Sequence, residues 1–122
     1  MNSQELIHFI LTHGSFEKPV KAEQIKLEFN VSDRTIRTIV NQHISQEEKL
    51  YKEFKNGHKF VKPEIIGSDE RGYYLINNRQ QESKAIGWVL SPNKANNERA
   101  AKISFLCDIK FNNNKEQQEM FE

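Results

Sequence analysis

The segment from Lys21 to Gln42, KAEQIKLEFNVSDRTIRTIVNQ, constrains the fold most, because it predicts two short helices joined by a tight turn. Ala22, Ile25 and Phe29 recur at three- and four-residue spacing, so they share one face of a helix. Asn30 follows directly, and asparagine tolerates the left-handed conformation that ends many helices. We therefore expect a first helix from about Ala22 to Phe29.

The second helix of the pair is predicted to open at Ser32, whose hydroxyl can accept from a backbone amide in the first turn. Its apolar side chains are Ile36, Ile39, Val40 and Ile44, and the opposite side carries Arg34, Arg37, Thr38 and Asn41. This division suits a helix that a core holds while its other side meets base edges and phosphates in a DNA major groove.

The side chains on the outer face have the chemistry for reading DNA. Arginine can make two hydrogen bonds to guanine, and asparagine can make two to adenine. Asp33 can accept from cytosine, or it can simply complement the positive end of the helix. We expect DNA contacts from Ser32, Asp33, Arg34, Thr35, Arg37, Thr38 and Asn41. The alternative is an ordinary helical hairpin with a solvated basic face.

The stretch from Glu64 to Asn77, EIIGSDERGYYLIN, predicts a β-hairpin, because two apolar runs flank a polar turn bounded by glycines. Gly72 can supply a positive φ angle before the return strand. Arg71 lies at the tip, where it can enter a minor groove or meet a phosphate. The alternative is a plain surface hairpin with a solvated arginine.

Taken in order, these segments resemble the winged helix-turn-helix domains of bacterial regulators and of small phage-encoded proteins. In that family a Val-Ser-x-x-Thr-Ile stretch opens the recognition helix, and an Ile-x-Ser-x-x-x-Gly-Tyr-Tyr-Leu stretch forms the wing. The resemblance covers roughly residues 3 to 78 and is carried by Val31, Ser32, Thr35, Ile36, Gly72, Tyr73 and Tyr74. It implies that the exposed side of the second helix and the tip of the wing contact double-stranded DNA.

A basic segment, Ser45 to Pro63, separates the two motifs, whereas many members of the family cross this gap in a few residues. Ser45 and Glu48 form a capping-box pattern, which predicts an extra helix there. Leu50, Tyr51 and Phe54 would share one face of it, and Asn56-Gly57 would end it. The lysines of the segment either extend the phosphate contacts or keep the surface soluble.

Two further helices are predicted for the C-terminal third, from Arg79 to Leu90 and from about Asn96 to Ile109, with a break at Ser91-Pro92-Asn93. Their apolar side chains either complete the core of one chain or pair two copies of it. A homodimer would suit a DNA-binding protein, because it presents two recognition helices to two half-sites.

Residues 111–122, FNNNKEQQEMFE, predict a flexible tail that ends in two large apolar residues. Gln117 to Phe121 resembles the short peptide by which bacterial replication and repair proteins dock on the sliding clamp. The resemblance implies that Met120 and Phe121 fill an apolar pocket while Gln117 bonds at its rim. The alternative is that these residues fold back on the core.

Charge and composition limit the classes of function. Net charge is +1, yet residues 18–62 hold ten Lys and Arg against six Asp and Glu, so phosphate attraction concentrates around the helix pair. No apolar run reaches membrane-spanning length, and the N-terminus lacks the features of a signal peptide. A lone cysteine, Cys107, fits a reducing cytoplasm. The four histidines are scattered, and no cysteine pair or phosphate-binding glycine loop is present.

We therefore predict a mainly α fold with a small β-hairpin. A winged helix-turn-helix domain would occupy residues 1–78, a helical segment 79–110 and a tail 111–122. The predicted function is that of a cytoplasmic transcriptional regulator of phage or mobile-element type, without catalytic activity, metal or cofactor. The alternatives are a DNA replication accessory protein that docks on the sliding clamp, and a winged-helix module that binds a protein.

Overall fold

The computed structural model describes residues 3–53, 63–91 and 96–120, with side chains as far as Phe111 in the last range. In chain order its elements are α1 (Ser3–His13), α2 (Ala22–Phe29), α3 (Asp33–Glu53), β1 (Ile66–Asp69), β2 (Gly72–Leu75), α4 (Arg79–Val89) and α5 (Asn97–Met120). The predicted mainly α fold with a small β-hairpin is thus confirmed. Predicted features at Phe54, Asn56-Gly57, Pro92-Asn93 and Phe121 lie outside the described residues.

The turn between α2 and α3 contains a left-handed residue that ends α2 and a serine that caps α3. Asn30 adopts the left-handed conformation (φ 53°, ψ 53°), and its N–H donates to the carbonyl of Lys26. The Ser32 hydroxyl accepts from the backbone N–H of Thr35 at 3.2 Å, which caps α3. The predicted boundaries of α2 and the predicted start of α3 are therefore confirmed.

The separate helix predicted from Ser45 does not exist, because α3 continues without a break to Glu53. The Ser45 hydroxyl caps no helix and instead accepts from Nζ of Lys102 at 2.8 Å. Tyr51 is buried and extends the apolar stripe of α3 beyond Ile44. A helix end at Ser45 would interrupt that stripe, so burial of the whole face outweighs the local capping signal.

The β-hairpin pairs Ile66 with Leu75 and Asp69 with Gly72 in antiparallel register. Its strands extend further into the polar stretch than predicted, because β1 ends at Asp69 and β2 begins at Gly72. The turn therefore consists of Glu70 and Arg71 alone. Gly72 has a φ of 141°, and an added Cβ there would collide with the carbonyl of Val20. Val20 and Tyr73 also exchange backbone hydrogen bonds of 2.8 and 2.9 Å, which tie the hairpin to the segment preceding α2.

The C-terminal helices complete the core of the chain. Ala85 of α4 and Ile103 and Leu106 of α5 belong to the same buried cluster as Leu6 of α1 and Ile36 of α3. These apolar residues are therefore buried within one chain, which was one of the two alternatives for them. The last helix runs past its predicted end at Ile109 and reaches Met120. Within the described ranges, no helix is both long and apolar enough to cross a bilayer.

Gly67 lies where β1 packs against α4, and a methyl group there has no room. A Cβ at this position would lie 2.9 Å from Cβ of Ala85 and 2.9 Å from Cγ1 of Ile76. We expect Gly67→Ala to lower the free energy of unfolding in a urea titration by about 1–3 kcal/mol through overpacking.

The matched control is Gly87→Ala, since a Cβ on Gly87 of α4 meets no atom within 4 Å. That variant should gain about 0.5–1 kcal/mol, because alanine loses less conformational entropy in a helix than glycine does. Equal unfolding free energies for the two variants would contradict the packing of β1 on α4.

Candidate nucleic-acid interface

The first turns of α3 present a polar face whose reverse side is buried. Arg34, Arg37 and Thr38 are exposed, whereas Ile36 and Val40 are fully buried. The Thr38 hydroxyl donates to the carbonyl of Arg34 at 2.9 Å, which holds that side chain against the helix. The predicted division of α3 into a core side and an outer side is thus confirmed.

The N-terminal end of α3 is tied both to itself and to α2. Ser32 shares a hydrogen bond of 3.1 Å with the Thr35 hydroxyl in addition to its capping bond. The carboxylate of Asp33 lies 2.8 Å from Nζ of Lys26, and this hydrogen bond is the main reason that the pKa of Lys26 is raised. Asp33 therefore links the two helices through Oδ2, and its other carboxylate oxygen can still accept from a cytosine.

Arg71 lies in the hairpin turn, as predicted, but its side chain folds back onto the hairpin. Its Nη2 and Nε lie 2.8 and 3.2 Å from the carboxylate of Asp69, and its guanidinium lies over the Phe16 ring at 4.6 Å from the centroid. The Asp69 side chain is 1% exposed. Burial alone would raise the pKa of Asp69, but the hydrogen bonds from Arg71 outweigh that effect and lower it.

A groove of about 660 Å³ separates α3 from the hairpin and the C-terminal helices. Arg37 and Asn41 border it from α3, Tyr73 from β2, and Trp88 and Arg99 from the opposite side. Asn41 is half-buried here, and its Oδ1 has no hydrogen-bond partner among the described residues. Four residues predicted to meet DNA thus line a concave surface together with residues from the other end of the chain, namely Asp33, Arg37, Asn41 and Arg71.

Sequence analysis missed Arg99, which lies in the first turn of α5. Its Nε and Nη2 are buried and make no hydrogen bond with a described residue. Burial lowers the pKa of Arg99, and the nearby Tyr73 offsets only part of this effect. One signal was available in the sequence, since Arg99 precedes the buried Ile103 by four residues and so shares a helical face with it.

The five arginines of the chain, all within the described ranges, divide into two groups. Arg71 and Arg79 form ion pairs of 2.8 to 2.9 Å with carboxylates. Arg34, Arg37 and Arg99 form no ion pair with a described residue. Of these three, Arg34 and Arg37 are exposed on α3, whereas Arg99 is partly buried beside the groove.

Other candidate groups add little to the chemistry of this surface. Cys107 is part of the buried core, and burial raises the pKa of its thiol to about 12. In the described part of the chain, no three His, Cys, Asp or Glu residues lie close enough together to hold a metal ion. Gln117 and Met120 lie near the end of α5, but their side chains are outside the described part.

Because of the Asp69–Arg71 pair, the free energy of unfolding should decrease at acidic pH. A carboxyl group whose pKa is lower in the folded state stabilises the fold above its unfolded pKa, about 3.9, and that contribution disappears as pH falls through the folded value. We expect Asp69→Asn to lower the free energy of unfolding at pH 7 by about 1–3 kcal/mol. The stability of Asp69→Asn should also fall less than that of the native protein as the pH falls below about 4.

Asp108→Asn is the matched control, because Asp108 is 57% exposed and pairs with Arg79 at 2.9 Å. A half-exposed pair contributes at most about 1 kcal/mol, so this variant should remain close to the native protein. Both variants are followed by urea denaturation at a series of pH values. A native-like acid response in Asp69→Asn would contradict the assigned role of the pair.

Comparison with known proteins gives no relative. No protein-family model matches the chain, and no curated protein or solved structure matches it.

Proposed function

We propose that the protein binds double-stranded DNA through α3 and the hairpin, and that it acts as a cytoplasmic transcriptional regulator at a specific operator. The observation that carries this proposal is the pair of exposed arginines, Arg34 and Arg37, on the outer face of α3. Neither forms an ion pair with a described residue. The opposite side of α3 is buried in the core, and this burial fixes the side of the helix on which the two arginines lie.

The spacing of the polar residues on α3 suits a helix lying in a major groove. Arg34 and Thr38 are four residues apart and form one row, while Arg37 and Asn41 form a second row beside it. The N-terminal residues of a recognition helix contact base edges, whereas residues at its flanks reach phosphates. In this arrangement Arg34 and Arg37 supply the bidentate donors that read guanine.

The hairpin is a suitable wing because it is fixed relative to α3. The backbone bonds between Val20 and Tyr73 join it to the segment that leads into α2, and Gly72 allows the close approach. Arg71 then contributes to DNA binding mainly through N–H groups that Asp69 leaves open. Its stacking on Phe16 holds the turn in one orientation, so the wing meets the backbone without first becoming ordered.

Charge supports specific rather than indiscriminate binding. Several cations of the described residues are already paired with an acid, including Lys26, Arg79 and Lys102. With a net charge of +1, few phosphates can be neutralised without a matched site. We therefore expect weak affinity for random duplexes and much tighter binding to a preferred sequence.

The test of base reading uses two substitutions at Arg37 on the preferred site selected from random duplexes. Arg37→Ala should weaken binding to that site by about 10- to 100-fold, which corresponds to the loss of one bidentate base contact. Arg37→Lys keeps the charge, so it should retain the salt dependence of the native protein while losing discrimination at one base pair. Native affinity and sequence preference in Arg37→Ala would contradict this role of α3.

A second candidate function rests on the C-terminal sequence from Gln117 to Phe121. If this segment docks on a sliding clamp, the protein is a replication accessory factor that joins clamp and DNA. Replacing Met120 and Phe121 together by alanine should then abolish clamp binding in a pull-down with purified clamp, because both anchors are lost. Gln118→Ala, between the predicted contacts, is the control, and clamp binding unchanged in the double variant would rule out the motif.

A further inference from the structure

The groove beside α3 contains polar atoms that the chain itself leaves unsatisfied. Nε and Nη2 of Arg99 and Oδ1 of Asn41 are buried without a hydrogen-bond partner among the described residues. Buried polar groups in native proteins nearly always have a partner, and a buried guanidinium without one is especially costly. Both side chains also border a second, smaller cavity of about 150 Å³ that adjoins the groove. A group from outside the chain can reach Arg99 only on the side where this residue borders the groove.

Two arginines that border the groove, Arg37 and Arg99, form no ion pair with a described residue. Arg37 and Arg99 both act on Tyr73, since their charges offset part of the rise that burial causes in the pKa of its hydroxyl. Three of the four carboxylates bordering the groove are already engaged, and the fourth, Glu23, is exposed. The engaged pairs are Asp33 with Lys26 at 2.8 Å, Asp69 with Arg71 at 2.8 Å and Glu70 with Lys84 at 3.7 Å.

The dimensions and borders of the groove suit a small anionic group. Its volume of about 660 Å³ falls within the range of roughly 300–1,000 Å³ found for ligand sites. Asn96 and Arg99 belong to the N-terminal end of α5, where the helix dipole favours negative charge. The dipole strengthens a site that the unpaired guanidinium of Arg99 already defines.

We propose that Arg37, Asn41, Tyr73 and Arg99 form a site for an oxyanion, namely the phosphate group of a small phosphorylated ligand or of the DNA backbone. The two guanidiniums donate to phosphate oxygens, as arginine does in many phosphate sites. Tyr73 adds a hydroxyl donor at the wall of the groove, and Asn41 can donate to the phosphate from its Nδ2 group, whereas its Oδ1 is an acceptor that an oxyanion does not satisfy. The oxyanion site does not itself depend on DNA binding by α3.

The two sources of phosphate have different consequences. A backbone phosphate in this site would engage both arginines, so Arg99 would add to DNA affinity and Arg37 would contact that phosphate instead of a guanine. A small phosphorylated ligand would instead occupy Arg37 and compete with DNA for it, which makes the ligand an effector of DNA binding. The experiment therefore measures the response to free phosphate and the response to DNA separately.

The first arm follows thermal unfolding of the full chain in inorganic phosphate, and in AMP, at millimolar concentrations and constant ionic strength. A ligand that binds only the folded state raises the melting temperature as its concentration rises. Arg99→Met keeps the apolar stem and removes the buried charge, so it should melt at or above the native temperature without added anion. It should no longer respond to phosphate or AMP, whereas Arg79→Met, at a paired arginine, should respond as the native protein does.

The second arm measures affinity for a random-sequence duplex across a salt series. If the site holds a backbone phosphate, Arg99→Met should reduce the slope of log affinity against log salt by about 0.9. The proposal is overturned if native melting ignores phosphate and AMP and Arg99→Met also leaves the salt slope unchanged. Binding of phosphate or AMP by a protein that binds no DNA would support the oxyanion site while contradicting the proposed function.

Discussion

Burial of one side of α3 is the interaction on which the other features of this protein depend. Ile36 and Val40 have no exposed surface and Ile44 has 1%, and they pack in the cluster that includes Leu6 and Ile103. Burying an aliphatic side chain of this size contributes about 1.5–3 kcal/mol. Rotating α3 to turn its polar face inward would forfeit several such terms, so the outward direction of Arg34 and Arg37 follows from the core.

The last helix, α5, covers part of α3 and forms a groove beside it. Lys102 donates to Ser45, and Lys52 lies 5.1 Å from the centre of the Phe105 ring, so α5 runs beside the C-terminal half of α3. The N-terminal half of α3 stays open on its outer face, while its flank becomes one wall of a groove. The proposed recognition surface and the proposed anion site therefore share one helix, and Arg37 belongs to both.

Local chemistry was predictable from the sequence, and contacts between distant segments were not. Asn30, Ser32 and Gly72 were assigned correctly, because the left-handed turn, the cap and the positive φ angle each depend on neighbouring residues. The full length of α3 and the groove at Arg99 depend on partners from the opposite end of the chain, such as the Lys102–Ser45 bond. Periodicity identifies which face of a helix is apolar, but it does not say which other helix covers the flank.

The central claim is that α3 binds DNA through its unpaired arginines, and a fluorescence titration with random-sequence duplex across a salt series tests it most directly. On a random-sequence duplex, which lacks the matched bases, these arginines would neutralise phosphates, and each neutralised phosphate contributes about 0.9 to the slope of log affinity against log salt. The native protein should bind with a measurable slope, and the double variant Arg34→Ala, Arg37→Ala should bind more weakly with a slope smaller by up to about 1.8. Absence of binding at low salt, or an unchanged slope in the double variant, would contradict the assignment of α3 as a DNA-binding helix.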